Sequence, residues 1–125
     1  MNVRFDTDEK VIMSKKAEYN IGFYKKQIPN MGIANIFDVN NSPGEYKRLG
    51  FIAILGRLDV SYIIEVIEKI QQGQVYDPDF LTSSDVYQAF NVQYANNFLF
   101  VDGYSIIHIN DLKILLEEWI DFCNS

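Results

Sequence analysis

The Asp102-Gly103 pair is the feature that most constrains the fold of this chain. It separates two apolar runs, residues 98–101 and residues 104–109. Both residue types tolerate a positive φ, and an Asp-Gly pair between apolar runs is a strong signal for a two-residue β-hairpin. Such a turn also fixes the register of the two strands. The sequence therefore predicts an antiparallel sheet that contains both runs.

Two segments have the apolar spacing of amphipathic helices. The first runs between Asp59, a predicted N-cap, and Gly73, predicted to follow the last helical turn. The second follows Asn110, another predicted N-cap, and runs to Cys123. The predicted buried stripes are Val60, Ile63, Ile64, Ile67 and Ile70 in the first helix, and Leu112, Leu115, Leu116, Trp119, Ile120 and Cys123 in the second.

Other segments complete the expected architecture. The apolar run 49–55 follows a Pro-Gly turn and is predicted to be a central strand, and 86–94 is predicted to be another strand. Residues 3–5 could start a strand, and 21–24 and 32–37 are compatible with strands or with ordered loop. Residues 8–20 could form a helix capped by Asp8, although their apolar spacing is poor. Strands and helices in this order predict an α+β fold, an antiparallel sheet with amphipathic helices packed on it, in a single domain over residues 1–125.

Charge is distributed unevenly along the chain. The net charge is −6. Residues 1–57 carry nine basic and six acidic groups, a net charge of +3, whereas residues 58–125 carry two basic and eleven acidic groups, a net charge of −9. The acidic half would repel a nucleic-acid duplex and attract a basic protein. The alternative is that this charge serves solubility alone.

The chain offers few residues for catalysis. The single histidine, His108, lies within a predicted strand, and the single cysteine, Cys123, lies on the apolar stripe of the last helix beside acidic residues. A cysteine nucleophile needs a base and electropositive surroundings. Asp77 and Asp79 are two residues apart, like the first two ligands of a calcium-binding loop, but the central glycine and the further ligands of such a loop are absent from the sequence. We therefore expect no enzyme activity, no catalytic residue, no metal site and no cofactor.

Location and nucleic-acid binding are constrained by the same composition. One cysteine cannot form an internal disulfide, and no apolar run has the length of a signal peptide or a membrane span. We expect a cytoplasmic protein with no membrane partner. Basic pairs at 15–16, 25–26 and 47–48 lie near aromatic residues, a combination that can bind single strands. Domains devoted to nucleic acid are usually basic overall, so the acidic balance argues against such a partner.

Two segments are candidate contact surfaces for a basic protein. Tyrosine is enriched at interface centres, and carboxylates supply charge complementarity. The segment 76–87 combines both residue types, although it could instead be a loop that covers the sheet edge with its aromatic residues. In the last helix Ile114 falls within the acidic face. It is either the apolar centre of a contact surface or a single exposed isoleucine of the kind that is common on protein surfaces. The predicted partner-binding residues are Tyr76, Asp77, Asp79, Asp85, Tyr87, Ile114, Glu117 and Asp121.

The last two-thirds of the chain resemble small bacterial immunity proteins of polymorphic-toxin and contact-dependent growth inhibition systems. The resemblance rests on residues 49–73 and on the ending 107–123, with its Asp111-Leu112-Lys113 and Leu115-Leu116-Glu117-Glu118-Trp119-Ile120. It implies a cytoplasmic protein that binds one cognate toxin domain, often a nuclease with a basic cleft. It also implies that acidic side chains displace or mimic nucleic-acid phosphates.

The leading hypothesis is therefore an immunity protein, a toxin inhibitor whose acidic surface neutralises a cognate toxin domain, in the first instance a nuclease. A non-enzymatic interaction adaptor or phage-type accessory protein is the second hypothesis. In that case the basic and acidic halves could join copies into an oligomer. A small enzyme using carboxylate or tyrosine chemistry is the third.

Overall fold

A computed structural model describes residues 14–81 and 88–125. The predicted α+β class is confirmed, and the strands form two antiparallel sheets instead of one, β1–β2 and β3–β4–β5. In chain order the elements are α1 Lys15–Glu18, β1 Gly22–Ile28, β2 Gly32–Asp38, a 3-10 segment Gly44–Ile54, α2 Arg57–Gln71, β3 Val92–Ala95, β4 Phe98–Val101, β5 Tyr104–His108 and α3 Ile109–Cys123.

The hairpin predicted at Asp102-Gly103 is confirmed. The two residues have φ values of 53° and 84°, and Val101 pairs with Tyr104 across the turn. Positive φ at both central positions is the signature of the type I′ turn. A register shift at Leu99/Phe100 follows, and the adjacent residues Ile106 and Ile107 are both buried. The irregularity therefore breaks the strict alternation of a regular strand.

The strand predicted over 49–55 is wrong, because residues 49–54 belong to the 3-10 segment and Leu55 is its C-cap. The buried side chains Leu49, Ile52 and Leu55 recur every third residue, Phe51 is buried in addition, and Ala53 is exposed. That period is the period of a 3-10 helix, while a half-buried strand would alternate every second residue. A short apolar run does not by itself distinguish a strand from a helical segment.

Both long helices are present, with starts that differ from the prediction. Helix α2 begins at Arg57 with Gly56 as its N-cap, so Asp59 lies in the first turn, where a carboxylate favours the positive end of the helix dipole. Gly73 has φ 68° just beyond the helix, as predicted. Helix α3 begins at Ile109, and His108, not Asn110, is its N-cap.

The N-terminal predictions fall partly outside the described residues. The predicted strand at 3–5 and the predicted cap Asp8 lie outside them. Helix α1 has Ser14 as its N-cap, and the Ser14 hydroxyl accepts a hydrogen bond from the Ala17 N–H at 3.2 Å. The strand signals at 21–24 and 32–37 correspond to β1 and β2. Within the predicted strand 86–94, residues 88 and 89 are helical and β3 begins at Val92, whereas 86 and 87 lie outside the described residues.

One hydrophobic cluster receives buried side chains from both sheets, the 3-10 segment and the two long helices. Helix α3 is central to it, because its inner face touches both sheets. Toward the β1–β2 hairpin, the Trp119 ring lies 5.0 Å from the Phe23 ring and 5.3 Å from the Phe37 ring. On the other side, α3 follows β5 without an intervening loop. The sheets are therefore joined through α3.

Candidate functional site

The outer face of α3 carries three of the predicted partner-binding residues. Ile114 is 42% exposed, and Glu117 and Asp121 are exposed beside it. Their spacing of three and four residues places them on one face of the helix. An apolar side chain surrounded by carboxylates is the arrangement that was predicted for this helix.

Helix α2 adds further carboxylates next to this face. The two helices pack side by side, and Lys113 lies between them, with its Nζ 3.5 Å from Glu68 Oε2 and 3.8 Å from Glu117 Oε2. Glu65 lies one turn before Glu68 and contacts Lys69 at 3.9 Å. We call the surface formed by Glu65, Glu68, Ile114, Glu117 and Asp121 the acidic helix face.

Lys113 neutralises only part of this surface. Its amine is shared by two carboxylates, and the three side chains are partly exposed to solvent. Exposed ion pairs of this kind are weak and are screened by salt. The acidic helix face keeps a net negative charge, because four carboxylates face one amine on α3 and one on α2.

The second predicted surface, around Asp77, is a packed turn. Asp77 Oδ1 accepts a hydrogen bond from the Asp79 N–H at 2.9 Å. The Tyr76 ring is half-buried, 6.2 Å from the Phe80 ring and 6.3 Å from the Tyr94 ring. Tyr76 therefore covers the three-stranded sheet, as in the alternative interpretation of this segment. Asp77 and Asp79 remain exposed, and the predicted contacts Asp85 and Tyr87 lie outside the described residues.

The two predicted surfaces lie on different flanks of α2. Burial raises the pKa of Tyr62, and Asp77 raises it further through its charge and a hydrogen bond, so this turn lies beside Tyr62. The charge of Glu65 also raises this pKa, so Glu65 is the member of the acidic helix face nearest to the turn. Glu68, which faces α3, is six residues further along, or about 120° around the helix at 3.6 residues per turn. The described members of the predicted set therefore form two patches, one at the turn and one on α3.

His108 has a structural position at the junction of β5 and α3. Its Nδ1 accepts a hydrogen bond from the Asn110 N–H at 3.0 Å, which satisfies one of the free donors at the start of the helix. The ring also lies edge-on to Phe98, with centroids 5.2 Å apart. A neutral Nδ1 acceptor is required for this cap.

Cys123 lies half-buried in a groove of about 260 Å³ between the 3-10 segment and the two long helices. Burial raises the pKa of its thiol, whereas the charges of Lys25 and Arg57 and a hydrogen bond with Asn35 lower it. The charged groups that act on the thiol are thus cationic, and the expectation of acidic surroundings is wrong.

A cavity of about 390 Å³ lies between the 3-10 segment and the three-stranded sheet, with Phe51 and Phe90 on its apolar side and Lys47, Arg48 and Asp102 at its rim. The cations at this rim are already engaged. Arg48 contacts Glu45 at 2.5 Å and Asp102 at 3.5 Å and lies over the Tyr104 ring. Lys47 donates to the carbonyls of Asn40 and Ser42. An anionic ligand would have to displace these contacts.

Glu118 has a role that the sequence did not indicate. Its carboxylate accepts hydrogen bonds from the backbone N–H groups of Lys15 and Lys16, both at 2.9 Å. Two turns earlier, Asp111 accepts a hydrogen bond from the Tyr19 hydroxyl at 2.9 Å and contacts Lys15 Nζ at 3.3 Å. These contacts fasten α1 to α3. They join residues about a hundred positions apart, so local sequence patterns carry no signal for them.

Metal-ligand and membrane features can be assessed over residues 14–81 and 88–125. No group of three or more His, Cys, Asp or Glu side chains there could hold a metal ion. None of the helices in these ranges has the length and apolar character needed to cross a bilayer.

No family model matches the chain, and comparisons with curated proteins and with solved structures also find no match.

Proposed function

We propose that this protein is a cytoplasmic immunity protein that binds a cognate toxin domain, in the first instance a nuclease, through the acidic helix face. The observation that carries the proposal is the position of Ile114, an exposed apolar side chain with Glu117 and Asp121 beside it and Glu68 across Lys113. Interfaces combine an apolar contact at the centre with a charged rim.

The acidic helix face suits a basic partner on electrostatic grounds. A nuclease binds its substrate through cations that neutralise phosphates, so its cleft has a positive potential. The carboxylates of the acidic helix face would attract the same cations and compete with the nucleic acid. Such complementarity raises the association rate at low salt and steers the partner into register. The toxin contacts the carboxylates directly and covers Ile114.

The experiment is co-expression with the product of the gene immediately upstream, scored as rescue from growth arrest. Calorimetry of the purified pair at two salt concentrations then gives the affinity and its salt dependence. We expect rescue, and tight binding that weakens as salt rises. In the double variant Glu117→Lys/Asp121→Lys, like charges would face the partner, and we expect the affinity to fall at least about tenfold.

The Asp77–Asp79 turn provides a matched control. The double variant Asp77→Lys/Asp79→Lys makes the same change in net charge on the other flank of α2. We expect it to leave affinity within about threefold of the original, since long-range steering is screened at physiological salt. Loss of affinity in this control alone would move the interface to the turn. Absence of both toxicity and binding would reject the immunity proposal and favour the adaptor hypothesis.

A further inference from the structure

Within residues 14–81 and 88–125, the outer edge of β1 in the β1–β2 hairpin has no strand partner. Within the described residues β1 is hydrogen-bonded to β2 alone, while β2 also packs against the 3-10 segment. Five of the seven residues of β1 are exposed. The outward backbone N–H and C=O groups of such an edge strand are a template for pairing with another extended chain.

This edge is held in place by α3. On one face of β1, the Phe23 ring packs 5.0 Å from the Trp119 ring, and Lys25 Nζ lies 4.6 Å above the Phe122 ring. Lys25 also donates to Asn35 Oδ1 at 2.8 Å. Because these contacts fix the hairpin in the free protein, an incoming strand would not have to order it, and preorganisation of this kind favours binding.

The opposite face of β1 presents a distinct pattern. Side chains alternate along a strand, so Tyr24, Lys26 and Ile28 share that face. Tyr24 is 46% exposed and Ile28 is half-buried. Lys26 is exposed and, unlike Lys25, has no hydrogen-bond or ion-pair partner among residues 14–81 and 88–125. The face therefore offers one cation between two apolar side chains.

We propose that the outer edge of β1 binds an extended segment of a partner protein, which pairs with it as an added strand. The segment carries a carboxylate opposite Lys26 and an apolar residue two positions away on each side. The backbone ladder supplies the pairing, and the side chains opposite Tyr24, Lys26 and Ile28 supply the selectivity.

The charge on β1 argues against the other occupants. A second copy pairing antiparallel through β1 would bring Lys25 and Lys26 of both chains together at the centre, and like charges on paired strands are destabilising. Nucleic-acid binding requires several cations along the phosphate backbone. The described part of this face supplies Lys26 alone.

The test uses the complete ¹⁵N-labelled protein and two capped pentapeptide probes, Val-Thr-Glu-Thr-Val and Val-Thr-Lys-Thr-Val. Amide shifts are followed during titration. We expect the glutamate probe to shift the amides of β1 and its flanks and to bind on the order of fivefold more tightly than the lysine probe. In the variant Lys26→Glu we expect the preference to reverse. Lys69→Glu, with the same charge change on α2, should keep the original preference.

Several results would overturn the inference. These are the absence of β1 shifts with either probe, a preference that survives Lys26→Glu, and concentration-dependent shifts without a probe, which would indicate self-pairing. The inference is independent of the toxin-binding proposal, because β1 and the acidic helix face share no residue. Lys26→Glu should still rescue growth in co-expression, and Glu117→Lys/Asp121→Lys should still bind the glutamate probe.

Discussion

Helix α3 has an inner face that packs against both sheets and an outer face that points to solvent. The inner face carries Leu115, Leu116 and Trp119, all buried, and the outer face carries Ile114, Glu117 and Asp121. Neighbours in sequence thus belong to different surfaces. Substitutions on the inner face should therefore change stability, whereas substitutions on the outer face should change only the proposed partner binding, because burial differs between the two faces.

Among substitutions on the two faces, Trp119→Ala should have the largest effect on the free energy of unfolding. Trp119 is 5% exposed and contacts Phe23, Phe37 and Phe122. Loss of a buried aromatic side chain leaves a cavity, and we expect the free energy of unfolding to fall by about 3–5 kcal/mol. Urea denaturation measures it. Ile114→Ala, on the outer face, should stay within about 0.5 kcal/mol of the original protein. Similar losses in both variants would refute the division between faces.

A smaller loss is expected for Glu118→Ala. This change leaves the N–H groups of Lys15 and Lys16 without their acceptor and loosens α1 from α3. Hydrogen bonds to a charged group contribute more than neutral ones, and partial exposure reduces the effect, so we expect a loss of about 1–2 kcal/mol in the same denaturation experiment. Glu117→Ala on the outer face is the matched control and should change stability little. Equal losses in the two variants would mean that the hydrogen bonds from α1 to Glu118 add nothing to the stability of the protein.

The smallest expected effect on stability is that of removing the Tyr19 hydroxyl, which donates a hydrogen bond to Asp111. Burial, and then the hydrogen bond to Asp111, raise the pKa of the phenol. The folded protein therefore keeps this proton at pH values where the unfolded chain loses it. The resulting stabilisation is complete below the ordinary tyrosine pKa of about 10 and is lost as the pH rises above it.

Tyr19→Phe removes that contribution. We expect a loss of about 1 kcal/mol near neutral pH and a shallower decline of stability between about pH 9 and pH 12 than in the original protein. Urea denaturation at a series of pH values measures both. An identical alkaline slope in the two proteins would show that Tyr19 does not couple folding to proton release.

Much of the fold follows from local patterns. The Asp102-Gly103 turn and the apolar stripes of α2 and α3 could be predicted, because turn chemistry and helical periodicity depend on neighbours in sequence. The 3-10 segment could not be separated from a strand, since Leu49, Phe51 and Ile52 make an apolar run compatible with both. The packing of both sheets against α3 joins residues far apart in sequence, such as Trp119 and Phe23, and no local pattern encodes it.

In the candidate site, too, local spacing could be predicted from the sequence and contacts between elements could not. The shared face of Ile114, Glu117 and Asp121 follows from helical spacing and could be predicted. The pairing of Lys113 with Glu68 joins two helices and could not. Glu118 has the same charge as its neighbour Glu117, but tertiary contact with α1 gives it two backbone partners. Charge alone does not reveal whether a carboxylate is available to another molecule.

Strand β5 ends at His108 and α3 begins at the next residue, so no hinge separates the hairpin from the helix. The helix cannot swing without disturbing the β4–β5 ladder. A partner that meets the outer face of α3 therefore meets a surface already in its bound orientation. The association rate would then be set by diffusion and by the electrostatic attraction between the two molecules, because binding would require no slow conformational change.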